Sequence, residues 1–118
     1  MRRKNDILVI EYLIEQIEKI ESYVSGKSEE DFYRDDVLKD ACYARLLVLG
    51  EYAGRTSEHF RKKHNEIEWE VIRGARNFYA HAYDALDWIK IWETLNTEIP
   101  ELKSRLIMIV RNENKELK

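Results

Sequence analysis

The sequence has one proline and four glycines in 118 residues, roughly half the usual density of chain breakers. A β-rich domain needs many tight turns, and turns draw on those residues, so their scarcity predicts an all-α domain. Cys42 is the only cysteine. An intrachain disulfide is therefore excluded, which fits a reducing compartment. Cys42 sits between Ala41 and Tyr43 in an apolar helical pattern and reads as a buried structural thiol. No apolar run approaches the about 18 residues of a membrane span. Arg2-Arg3-Lys4 is followed only by Ile7 to Ile10 before Glu11, too short for the apolar core of a signal peptide. A soluble, cytoplasmic protein with no membrane partner is expected. Lys and Arg total 20 against 23 Asp and Glu, a net charge of -3. That excludes a surface coated in basic charge but leaves room for a focused basic cleft.

What is present is helical patterning over a single domain, residues 1–118. Ile10, Leu13, Ile17, Ile20 and Val24 recur at steps of three and four, one apolar stripe of a first helix. Asn5 or Asp6 is expected to cap its start and Gly26 to end it. Ser28-Glu29-Glu30-Asp31 predicts a capped short helix carrying Phe32. A second long helix is expected from Asp35 or Asp36 toward Arg61. It carries two apolar stripes: Val37, Ala41, Ala44, Val48, Tyr52 and Leu38, Cys42, Leu46, Leu49, Ala53. So wide an arc predicts a helix that is central or shared with a second subunit, and Gly50 and Gly54 offer close approach to another helix. Residues 61–68 are charged and without apolar period; they read as a frayed end and loop, with His59 and His64 on the surface. A third helix is expected over 69–83, a fourth after the cap Asp87, and a last one with Pro100 in its first turn. The polar tail from Arg111 is expected to fray. The architecture predicted is an up-and-down bundle of four to five helices, assembled as a homodimer.

The chemistry lies in Arg76-Asn77-Phe78-Tyr79-Ala80-His81-Ala82-Tyr83. At about 100° per residue on a helix, Arg76 and Tyr83 fall about 20° apart, two turns removed, with Asn77 and His81 stacked on the flank. The stretch from Asn77 to Tyr83 is also the longest without a charged residue, which predicts burial in the fold or against a partner. Arginine grips phosphate through a planar fork and stays charged. Histidine moves protons near neutral pH. Together they can cleave RNA without metal or cofactor: an imidazole takes the 2′-hydroxyl proton, the oxygen attacks phosphorus, and the guanidinium stabilises the charge that develops. One helix supplies one such histidine. A two-fold dimer would bring the second proton-transfer group to the leaving oxygen. His81 and Asp84, one turn apart, are too few to hold a metal ion.

At these residues the sequence resembles a known family. Arg76, four intervening residues and His81 match the Arg-x4–6-His signature of HEPN domains. The full eight-residue string looks like the HepT-like branch, whose pattern is Arg-x4-His-x-Tyr. The likeness extends to Gly50-Glu51, Ile67-Glu68-Trp69, Trp92 and Ile99-Pro100-Glu101-Leu102. The resemblance implies the toxin of a type VII toxin–antitoxin pair, a metal-independent endoribonuclease acting as a homodimer with its active site at the interface. It implies catalytic roles for Arg76 and His81, with Asn77 in support. It also implies a partner, a minimal nucleotidyltransferase antitoxin that silences the toxin by transferring AMP to the motif tyrosine, which by position is Tyr83. Relatives often carry an Arg-Asn pair in the second long helix; the matching positions here read Ala44-Arg45. Arg73, Arg45 and Arg55 are the basic side chains expected to gather RNA phosphates or to pair with acids. Two other functions compete: a non-catalytic module that docks onto the nucleotidyltransferase, and a purely structural dimer. Trp69, Trp88 and Trp92 are expected to be packing anchors.

Overall fold

The computed structural model describes the backbone over residues 2–74 and 86–117, and side chains over 5–74 and 86–116. The described residues form α1 (Arg2–Val24), α2 (Glu29–Arg34), α3 (Asp36–Ala53), α4 (Glu58–Lys63), a helical stretch α5 over 69–74, α6 (Trp88–Asn96) and α7 (Glu98–Leu117). No strand occurs among them. The fold is all-α, as the scarcity of breakers predicts; short α2 forms as expected, α4 is an additional short helix, and the helix expected over 69–83 lies outside the described residues beyond Gly74.

The stripe on α1 is the spine of the core: Ile10, Leu13, Ile17 and Ile20 are all buried. Each such side chain contributes about 1.5–3 kcal/mol of burial. α1 packs against both α3 and α7. Its contacts with α3 run from Asp6 at Ser57, through Tyr12 at Tyr52, to Gln16 at Arg45, so the two helices are antiparallel. Lys103, near the start of α7, reaches Glu21 and Glu18 near the end of α1 at 2.7 and 3.6 Å. α7 is therefore antiparallel to α1 as well. The predicted caps form. Ser28 Oγ accepts from the Asp31 amide while Asp31 accepts from the Ser28 amide, Asp87 accepts from the Lys90 amide, and Gly26 ends α1 with φ +73°. Phe32 is buried under Trp88 and Trp92, with ring centroids 6.0 and 5.0 Å away.

On α3 the two stripes part company. Leu38, Cys42, Leu46, Leu49 and Ala53 are buried, and burial pushes the Cys42 thiol up to about 11. The other stripe faces outward, with Val37 79% exposed and Ala44 exposed.

Three local expectations need correction. First, the second long helix stops at Ala53 rather than near Arg61. Its end is fixed from a distance. Asp6 lies buried inside α1, which begins at Arg2, and does not cap it. Its carboxylate instead accepts from the Ser57 amide and hydroxyl, both at 2.7 Å. Ser57 then caps α4 by accepting from the Phe60 amide. Second, His59 is exposed but His64 is not. His64 stacks on Phe60 and its Nε2 lies 3.0 Å from Glu113. Third, the tail beyond Arg111 is helical to Leu117. Glu113 continues the buried stripe of Leu106 and Ile109 and accepts from Lys63 at 2.8 Å, so the α4 corner holds the end of α7.

Candidate functional site

Arg76, Asn77, His81 and Tyr83 lie outside the described residues, as does the charge-free run that contains most of them. What is described is the ground that leads to them. Trp69 seats the start of α5: its ring is buried and its indole N–H donates to the His64 carbonyl at 3.0 Å. From that anchor α5 carries Arg73 toward the end of α3. A Cβ at Gly54 would stand 3.3 Å from Arg73 Nε, so the missing side chain makes room for the guanidinium. This is the close approach that the glycine spacing suggested, made by a side chain.

A cleft of about 390 Å³ lies between the Gly50–Arg55 end of α3 and Glu70–Gly74 of α5. Among the described residues, two arginines line it, Arg73 and Arg55. Arg73 Nη1 donates to Glu70 at 3.0 Å, an ion pair whose acid is 85% exposed. Such a surface pair contributes about 0–1 kcal/mol, so a phosphate can replace Glu70 at little cost. Arg55 makes no ion pair among the described residues and is exposed; its guanidinium carbon lies over the Tyr52 ring, 4.1 Å from the centroid. The Tyr52 ring also meets Tyr12, with centroids 4.4 Å apart and the rings tilted by 42°.

Arg45 is placed differently. Its Nη1 donates to buried Gln16 at 2.6 Å, and its Nε is buried with no partner. It does not line the cleft with Arg73. A larger groove, about 590 Å³, has an apolar floor that includes Leu46, Leu49, Ile67 and Ile99. Among the described residues it lacks the paired arginines of the smaller cleft, whose described lining reaches Gly74, two residues from Arg76 in sequence. The sequence reading missed Tyr12 and Tyr52 as parts of a polar surface. The signal was present, since Arg45, Val48, Tyr52 and Arg55 recur at three, four and three residues along one face of α3.

The cleft holds two guanidiniums among the acids Glu51 and Glu70; guanidiniums are suited to phosphate, and an arginine over a tyrosine ring is suited to nucleobases. Comparison with known proteins agrees with that chemistry. A putative RNase of Caldanaerobacter subterraneus subsp. tengcongensis is 35% identical over 104 residues, covering 88% of this chain and 93% of the relative. A protein of Thermococcus cleftensis named "Probable ribonuclease HepT" is 31% identical over 96 residues, 81% of this chain and 87% of the relative. A Methanocaldococcus jannaschii protein named as a gamma-glutamylcyclotransferase and putative RNase is 31% identical over 113 residues. There the match takes 96% of this chain, which spans about half, 51%, of the relative's length. No solved structure matches. The family model described as "Ribonuclease HepT-like" matches residues 13–109, and the chain belongs to that HepT-like ribonuclease family.

Proposed function

We propose that the protein is a metal-independent endoribonuclease, the toxin of a type VII toxin–antitoxin pair. The observation that carries this reading is the HepT-like ribonuclease match over residues 13–109, which brackets the string from Arg76 to Tyr83. The described cleft supports it by bringing Arg73 and Arg55 together with Gly74, which precedes that string by two residues in sequence. His81 takes the 2′-hydroxyl proton, a new bond forms from that oxygen to phosphorus, and the bond from phosphorus to the 5′ oxygen breaks. Arg76 stabilises the negative charge on the non-bridging oxygens and Asn77 orients the phosphate. The proton required by the leaving 5′ oxygen comes from the imidazole of a second copy, so the active unit is a homodimer with its site at the interface. The outward apolar stripe of α3, with Val37 79% exposed, is a surface such a dimer can cover. Arg73 is the phosphate-gathering group of the described cleft; Arg45 lies elsewhere on α3, with its Nη1 held by Gln16.

Control falls on Tyr83, which a cognate nucleotidyltransferase antitoxin modifies with AMP. The added phosphate and adenosine fill the ground beside Arg76 and exclude RNA. The test pairs two variants. Arg76→Ala is expected to lose RNA cleavage by about 100-fold or more while keeping its helical circular dichroism. Tyr83→Phe is expected to keep its fold and to gain no AMP by mass spectrometry after incubation with the nucleotidyltransferase and ATP. Undiminished cleavage by Arg76→Ala overturns the catalytic reading, and AMP found only on another tyrosine overturns the assignment of Tyr83.

A further inference from the structure

The cleft continues past its arginines onto a pair of tyrosine rings, and nothing in the proposed chemistry uses that pair. Beginning from Gly74, two residues before Arg76, the order is Arg73, then Arg55 on the same cleft, then Tyr52 under Arg55, then Tyr12 under Tyr52. Arg73 and Arg55 offer charge. Tyr52 and Tyr12 are half-buried in the α1–α3 seam. The Arg55 guanidinium carbon lies 4.1 Å from the Tyr52 ring centroid, and Arg55 is exposed and lines the cleft. A guanidinium plane braced on an aromatic ring is a platform for an unpaired nucleobase. A lysine in its place would carry the charge but offer no plane.

We infer that Arg55, held flat by Tyr52 and Tyr12, is a base-stacking platform for single-stranded RNA, with Arg73 taking the adjoining phosphate. The inference rests on the ribonuclease reading and adds to it where the strand lies outside the cleaved bond. Arg55 is a binding residue in direct contact with the base; Tyr52 and Tyr12 are positioning residues. The platform reads no base edge, so it favours unpaired over paired RNA without selecting sequence.

The test uses the full chain carrying His81→Ala, so that bound RNA stays whole. Fluorescence anisotropy measures binding of a labelled oligoadenosine RNA and of an abasic ribose-phosphate oligomer of the same length, across a salt series. Arg55→Ala is expected to weaken oligoadenosine binding by at least about fivefold, the lower end of what one stacked base contributes. Arg55→Lys is expected to lose nearly as much affinity for oligoadenosine, with the salt slope and the abasic affinity unchanged. Tyr52→Leu follows Arg55→Lys, and Tyr52→Phe, which keeps the ring, binds as the parent does. Sedimentation of each variant is expected to give the parent's oligomeric state. Native affinity in Arg55→Lys, or loss that accompanies a changed oligomeric state, overturns the platform and leaves the ribonuclease reading standing. A parent that binds neither oligomer overturns both.

Discussion

Two charged places on this molecule use similar residue types to opposite effect. At the α4–α7 corner, Lys63 and His64 face Glu113 and Glu116. Glu113 is buried, with its side chain 2% exposed, and Lys63 reaches both acids at 2.8 and 2.5 Å. At the α3–α5 cleft, Arg55 rests on a tyrosine and Arg73 meets a carboxylate that is 85% exposed. The first place is closed, and its charges are spent within the fold. The second is open, and its charges face a cavity whose described lining reaches Gly74. Charge alone does not mark a site; what separates the two is whether the partner is already inside the protein.

Removing the closed place's central acid sharpens the contrast most. Glu113→Ala removes the buried acceptor shared by Lys63 and His64, leaving Lys63 with Glu116 alone, and is expected to destabilise the fold by about 3 kcal/mol. Urea denaturation followed by circular dichroism checks it, and RNA affinity per folded molecule should not change. A smaller loss is expected at the joint that separates the two places. Asp6→Ala removes two charge-assisted hydrogen bonds to Ser57, a cost of about 2 kcal/mol, read in the same denaturation. The smallest effect lies at the open place. Gly54→Ala puts a methyl 3.3 Å from Arg73 Nε on a backbone already in the right-handed helical region. Stability is expected to stay within about 0.5 kcal/mol while RNA affinity, measured by anisotropy, falls severalfold. Equal RNA affinity in Gly54→Ala would mean that Arg73 does not serve the strand.

The same contrast explains what the sequence made legible. The α1 stripe, the inner stripe of α3 and the Ser28 and Asp87 caps are set by neighbours within one or two turns, and they form as periodicity and capping chemistry predict. The α3–α4 break and the buried His64–Glu113 pair are set across 51 and 49 residues respectively, which no local pattern encodes. Asp6 looked like a cap because caps are what an aspartate near a helix start usually provides. Arg73 was legible as a cation beside the string. That Gly54 leaves room for its guanidinium at the end of α3, and that Arg55 lies over the Tyr52 ring with Tyr12 beside it, depends on how α1, α3 and α5 meet.

The central claim is that Arg76 and His81 cut RNA without a metal ion. The most direct measurement incubates end-labelled RNA with the native protein and with His81→Ala, each in excess EDTA, and resolves the product termini. Native protein is expected to yield fragments ending in cyclic phosphate and His81→Ala to yield none. Cleavage that EDTA abolishes, or that His81→Ala retains, would contradict the claim.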